Sequence, residues 1–243
     1  MNTNIGAKRA RQARDRWGLP DDEPLPCVVA VAEHCEGLHV IVASLRPEIA
    51  GALHPSGLVW VNGDQGPMRC RFTVAHELGH RCCGHEAPTV DSPQDLSAPG
   101  TAHEVQANAF AAEVLAPRRA VEAMVEGTPT LEDVVRVAVR FGISYMAARY
   151  RLVTLGLATQ ARAELLAREQ EEGLHRSLVE QHEEPLGDLL AELGPHDLPR
   201  LPPSLRGSVL HRLVAGELTL EEAAAAAGVP VEALGEGLAE LLG

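Results

Sequence analysis

The stretch RCRFTVAHELGHRCCGH, residues 69–85, decides the reading of this chain. It follows a β-branched run, GLVWVN (57–62), and a turn cluster, Asn62-Gly63-Asp64-Gln65-Gly66-Pro67. The pattern predicts a strand, a turn, and then a helix over 69–83 that Gly84 stops. Inside the helix lies His76-Glu77-Leu78-Gly79-His80, an HExxH motif. Helical residues four apart share a face, so His76 and His80 can point at one metal ion. Zinc takes neutral imidazole nitrogens at ~2.0–2.1 Å and, in catalytic sites, keeps one position open. Water bound there ionises near pH ~7. Glu77, one residue along, is placed to take that proton and pass it to a leaving amine.

Such a centre needs a third protein ligand. The extended pattern HExxHxxGxxH fails, because Cys83 and Glu86 stand where its Gly and third His belong. His85 falls beyond the helix stop, which assigns it to packing or to support of the ligands. A second helix is predicted over 101–115, closed by Pro117, and within it HEVQANAFAAEVLAP (103–117) offers Glu104 and Glu113. At ~100° per residue the nine steps between them turn the two carboxylates to opposite faces. Glu104 shares its face with Ala107, Asn108, Ala111 and Leu115, a small apolar surface suited to packing on the first helix. Glu113 shares its face with Ala102, Gln106 and Ala109, which reads as an exposed charge. Glu104 is therefore the expected third ligand. His103 is a weaker candidate.

Composition bounds what else the chain can be. Its 243 residues are 45% hydrophobic and 23% charged, ordinary for a globular protein, and the net charge of −13 argues against nucleic acid as the main partner. No apolar run approaches the ~18 residues that span a bilayer. The basic N-terminus (Lys8, Arg9, Arg11, Arg14, Arg16) has no apolar segment after it, so it reads as a basic helix over 6–17 with a solvated face, not as a secretory signal. Aromatics are only 3%, so the core is expected to be Leu, Val and Ala. Five cysteines, an odd number without a CxxC pair, suit a reducing setting and no zinc ribbon. Cys82 and Cys83 read as helix-end residues, not ligands.

Elsewhere, Val28–Cys35 reads as a helix ended by Gly37, Leu38–Leu45 as a strand, and 84–100 as a long polar loop. A further short helix is expected over 117–126. Two stretches, TLEDVVRVAVRFGIS (130–144) and TLEEAAAAAGVP (219–230), each begin with a capping-box pattern, Thr130/Asp133 and Thr219/Glu222. Each continues as helix, glycine turn and second helix, the grammar of a helix-turn-helix. Arg149 and Arg151 lie on the second helix of the first unit, with Arg136 and Arg140 before it. The second unit carries Glu232, Glu236 and Glu240 there, which suits docking or capping and not phosphate contact. Charge shifts near residue 155: residues 1–154 hold 15 basic and 18 acidic side chains, residues 155–243 hold 6 and 16. That shift separates a domain over 1–157, with a helical unit at about 128–157, from an acidic all-helical extension over 158–243.

The two motif stretches together resemble the ImmA/IrrE family of bacterial zinc metallopeptidases. Arg71-Phe72-Thr73, His76-Glu77, Gly79-His80, Glu104, Ala107-Asn108, Phe110-Ala111-Ala112 and Leu115-Ala116-Pro117 line up with its pattern, and the likeness extends over roughly 5–157. It implies an α+β fold with a zincin-like core, in which a small sheet carries the HExxH helix and the ligand helix, followed by helix-turn-helix-like units. It implies one zinc per chain held by His76, His80 and Glu104, with Glu77 as general base and Asn108 in support. Arg71 is then structural, and Tyr145, Tyr150 and His103 compete as oxyanion donors. The activity implied is cytosolic cleavage of a partner transcriptional repressor, one bearing a helix-turn-helix, in a regulatory or stress setting. Two other readings compete: a DNA-binding or protein-binding module, and a structural zinc site without catalysis. Glu77 weighs against the last, since a structural site has no use for an acid there.

Overall fold

The computed structural model describes residues 2–86, 89–98, 100–175, 178, 200, 202, 208–209, 212–213, 216–227 and 231. The protein is mixed α and β. Helix α1 (Asn2–Arg16) leads through a turn to α2 (Val28–Glu36). Then come β1 (His39–Ala43), β2 (Gly51–Leu53), β3 (Leu58–Asn62), a single 3-10 turn (Gly63–Gln65) and α3 (Pro67–Cys83). Strand β4 (Thr89–Asp91) and the short α4 (Pro93–Ser97) precede α5 (Ala102–Leu115) and α6 (Arg118–Glu122). Helices α7 (Leu131–Phe141), α8 (Tyr145–Thr154) and α9 (Gln160–Glu171) follow, with α10 (Leu220–Ala227) beyond.

The sheet runs β1-β3-β2-β4, with β1 parallel to β3 and β2 antiparallel to both neighbours. Two of these strands were not expected from sequence. Strand β2 has three residues, too few to show alternation, and β4 lies inside the stretch 84–100 that reads as a polar loop. Helix α4 also falls in that loop, started by a capping box between Ser92 and Asp95 and by Pro93 at its first position.

Helix α3 is buried from Thr73 to His80 and packs on α5, α2 and the strands. Close approach is built into it. A Cβ at Gly79 would stand 3.0 Å from the Ala107 backbone, so the two motif helices touch main chain to main chain. Along the opposite side of α5 runs α1, where a Cβ at Gly6 would strike the Gln106 carbonyl. The core is mostly Val, Ala and Leu, with Phe110 and Phe141 fully buried.

The basic face of α1 departs from the solvated reading. Arg14 is fully buried: its guanidinium donates to the carbonyls of Val114 and Glu23 at 2.7 Å each, and to Pro20. Arg11 pairs with Glu113 at 3.2 Å. Backbone carbonyls stripped of water by packing are thereby satisfied by cationic side chains. Arg71, also buried, donates to the Leu25 carbonyl at 2.5 Å.

The Thr130/Asp133 capping box starts α7, and Thr219 and Glu222 exchange the same bonds ahead of α10. Contacts continue across residue 157, where the charge pattern shifts. Tyr145 donates to the Leu166 carbonyl, Arg149 to Ala163 and Arg162 to Pro129, and Leu166 is fully buried. Further along, Arg200 exchanges two backbone bonds with Val42 on the edge of β1 and grips Glu33 at 2.9 Å. Much of the second repeat's recognition helix, with Glu232, Glu236 and Glu240, lies outside the described residues. Among the described residues, no helix is long and apolar enough to cross a membrane.

Candidate metal centre

His76 and His80 project from one face of α3 toward the first turn of α5 and the end of β4. Their Nε2 atoms are 3.0 Å apart. Glu104 Oε2 lies 3.1 Å from His76 Nε2 and 3.5 Å from His80 Nε2. A fourth group joins them: Asp91 Oδ2, 3.7 Å from His76 Nε2 and 4.0 Å from His80 Nε2. These four ligand atoms all fall within 4.8 Å of one another. Both imidazoles are fully buried, and only Glu104 keeps some exposure. Two nitrogens and two carboxylate oxygens converge in a donor set that fits a divalent cation.

The other ring nitrogens are committed elsewhere. His76 Nδ1 lies 2.9 Å from Asn108 Oδ1, and Asn108 fixes its own amide by donating to the Asp95 carbonyl at 2.9 Å. With Oδ1 accepting, His76 Nδ1 carries the proton and its Nε2 lone pair is turned to the centre. His80 is set by a relay. The chain reverses at Gly84 (φ 74), and the His85 amide donates to the His80 carbonyl. That turn brings His85 Nδ1 to 3.0 Å from His80 Nδ1, and His85 Nε2 to 3.3 Å from Gln106 Oε1. A neutral His85 completes the chain, accepting from His80 and donating to Gln106. Burial pushes the His85 pKa down, which favours that neutral form. His103, exposed on α5, stacks on His85 at 4.3 Å between ring centroids.

Glu77 is fully buried beside this set but outside it. Its Oε2 accepts from Thr89 at 3.3 Å, and its Oε1 has no hydrogen-bond partner among the described residues. Room for it comes from Gly51 on β2: a Cβ there would sit 2.6 Å from Glu77 Oε1 and 2.5 Å from Thr73 Cγ2. Burial, and then the Asp91 carboxylate, push the Glu77 pKa well above the ordinary range. Burial opposes charge on His76, yet Asp91, Glu104 and Glu77 around it raise its pKa to about 10. Partial burial works against the Glu104 carboxylate, but the two imidazoles hold its pKa well below the usual range. The acids around His76 thus favour positive charge at that ring.

The structure therefore brings together His76, His80 and Glu104, with Glu77, Asn108, His85 and His103 around them. It does not bring Tyr145, whose hydroxyl is spent on Leu166 and whose ring lies against His175. Sequence reasoning missed Asp91 and Thr89. A strand three residues long flanked by prolines carries no periodic signal; only the Ser92/Asp95 capping box marks order there. Glu113 is a correction. It is not an exposed charge but buried, bonded to Arg151, Arg11 and the Arg118 amide. The face of α5 that looked solvated lies along α1, and Arg151 of α8 reaches Glu113 at its end. Arg151 is accordingly half of an internal ion pair and Arg149 caps a carbonyl, so neither belongs to a solvated basic patch. Cys82 and Cys83 stand outside the group, near α1.

A small sheet crossed by a helix bearing HExxH, with a second helix delivering a glutamate, defines a zincin-like peptidase fold. Residues 35–153 match the family model described as the IrrE N-terminal-like domain of a peptidase family, and this stretch is of the ImmA/IrrE peptidase type. No curated protein matches the chain.

Proposed function

We infer that this protein is a zinc-dependent endopeptidase of narrow specificity, acting in the cytoplasm on a partner transcriptional repressor. The observation that carries the reading is Glu77: a buried carboxylate beside two imidazoles and a glutamate, with one oxygen unpartnered among the described residues. A purely structural site has no need of it. His76, His80 and Glu104 would hold the ion. Zinc in such a set polarises a carbonyl and acidifies water. Glu77 would take a proton from the attacking water and return it to the leaving amine. Asn108 and the His85–Gln106 relay hold the two imidazoles in one tautomer.

Comparing new protein N-termini in cells that carry wild type or Glu77→Gln tests this. Both proteins should retain zinc, and a small set of termini should appear only with wild type, at least one of them in a helix-turn-helix protein. Identical termini from two zinc-loaded proteins would overturn the peptidase reading.

A further inference from the structure

We propose that Asp91 is a fourth metal-ligating side chain, delivered by edge strand β4, which fills the position a catalytic water needs and so holds the resting centre closed. The inference rests on the zinc reading above and goes beyond it. A tetrahedron of ~2.0–2.2 Å bonds has edges of about 3.3–3.6 Å. The separations at this site are 3.0, 3.1 and 3.5 Å among His76, His80 and Glu104, 3.7 and 4.0 Å from the two imidazoles to Asp91, and no more than 4.8 Å between the two carboxylates. Asp91 thus stands near the fourth vertex. Its side chain is only 4% exposed, and Oδ2 has no hydrogen-bond partner among the described residues. A buried carboxylate oxygen left without a donor and aimed at two imidazoles is costly unless a cation meets it. Two carboxylates and two neutral imidazoles also balance a divalent ion in charge.

The strand is placed to act as a removable cap. Asp91 accepts the Ala50 amide at 2.7 Å through its carbonyl, and it pairs with Gly51 in the register of β2. Immediately after it, Ser92 starts α4, whose Asp95 carbonyl receives the Asn108 amide. The cap and the residue that orients His76 are therefore tied together. Strand β4 has three residues and, among the described residues, a neighbour on one side only, and Val90 between its ends is 67% exposed. Withdrawing it breaks few hydrogen bonds and opens one coordination position, while His76, His80 and Glu104 stay on their helices.

Two readouts on the full chain test this without any substrate. Zinc affinity is measured by chelator competition for wild type, Asp91→Asn, Asp91→Ala and His80→Ala. Acetohydroxamate, a ligand for an open metal position, is titrated against the visible spectrum of the Co2+-loaded proteins. His80→Ala should lose the metal. Both Asp91 variants should bind zinc at least tenfold more weakly. Asp91→Ala, loaded with excess Co2+, should respond to acetohydroxamate at concentrations at least tenfold below those wild type needs. Unchanged zinc affinity in the Asp91 variants, with metal lost from His80→Ala, would overturn the role of Asp91 and leave the peptidase site standing. A wild-type Co2+ protein that already takes acetohydroxamate as readily as a small open site does would overturn the closed state, and needs no variant. A wild type that binds neither metal overturns both readings.

Discussion

The two ends of α5 put the same side chain to different use. Glu104, in the first turn, faces His76 and His80 and a second carboxylate, Asp91. Glu113, nine residues on, faces Arg151 and Arg11. Both lie against packed helices, yet their surroundings carry opposite signs of unfinished business. Around Glu113 the carboxylate is fully engaged: it pairs with Arg151 and Arg11, Arg151 also bonds the Ala116 carbonyl at 2.9 Å, and the carboxylate accepts the Arg118 amide at 3.4 Å. Around Glu104 a second carboxylate and two imidazoles converge. The lesson is that a buried glutamate is read by its neighbours, not by its burial. A guanidinium makes it part of the frame, whereas imidazoles plus further carboxylates leave a place for a metal.

The sharpest way to break the comparison is to neutralise each end. Glu113→Gln leaves Arg151 buried without its counter-charge, which should cost about 3–5 kcal/mol of stability by denaturant unfolding. The folded fraction should still bind metal at the wild-type stoichiometry. Glu104→Gln should do the reverse, weakening metal binding while the chelator-treated protein keeps its fold by circular dichroism. If Glu113→Gln unfolds with the wild-type midpoint, the frame reading of that end is wrong. Next in size comes Asn108→Ala. Freeing His76 to change tautomer should weaken metal binding about 10–100-fold by chelator competition; an unaltered affinity would mean the ring is set by packing alone.

Gly51→Ala is a smaller disturbance, aimed at the catalytic side of the centre. Its Cβ would press on Glu77 Oε1 and Thr73 Cγ2 at 2.6 and 2.5 Å, so about 1–3 kcal/mol of stability should go, with metal affinity changed less. A neutral result would show that Glu77 moves aside freely. The gentlest probe is pH. In the metal-free protein the His76 pKa is raised from 6.5 to about 10, so the folded chain holds a proton that the unfolded chain has released. Stability from this group is complete below about pH 6.5 and is lost as pH rises through about 10. The melting temperature of chelator-treated protein should therefore fall between about pH 7 and pH 9. A rise over that interval would contradict the charge picture drawn for this end of α5.

How much of this was legible in the sequence follows from periodicity and length. The spacing of His76 and His80 on one helical face, and the turn separating Glu104 from Glu113, follow from helical geometry alone. The capping boxes at Thr130 and Thr219 are local, and so were readable. What tertiary contact decides was not readable. The face of α5 with Ala102, Gln106 and Ala109 looks solvated by composition, but small residues are also what a covering helix needs, and α1 lies across it. Arg14 looks like one more surface charge until its carbonyl partners are brought in from two separate segments, the turn after α1 and the end of α5. Asp91 was hidden because β4 exists through its pairing with β2, and neither strand is long enough to show alternation.

The central claim is that His76, His80 and Glu104 gather one metal ion. Elemental analysis of purified wild type beside Glu104→Ala tests it most directly. The account predicts about one zinc per wild-type chain and loss of it from the variant, with the fold intact by circular dichroism. Equal zinc in both proteins, or a wild type that cannot be loaded at all, would contradict it.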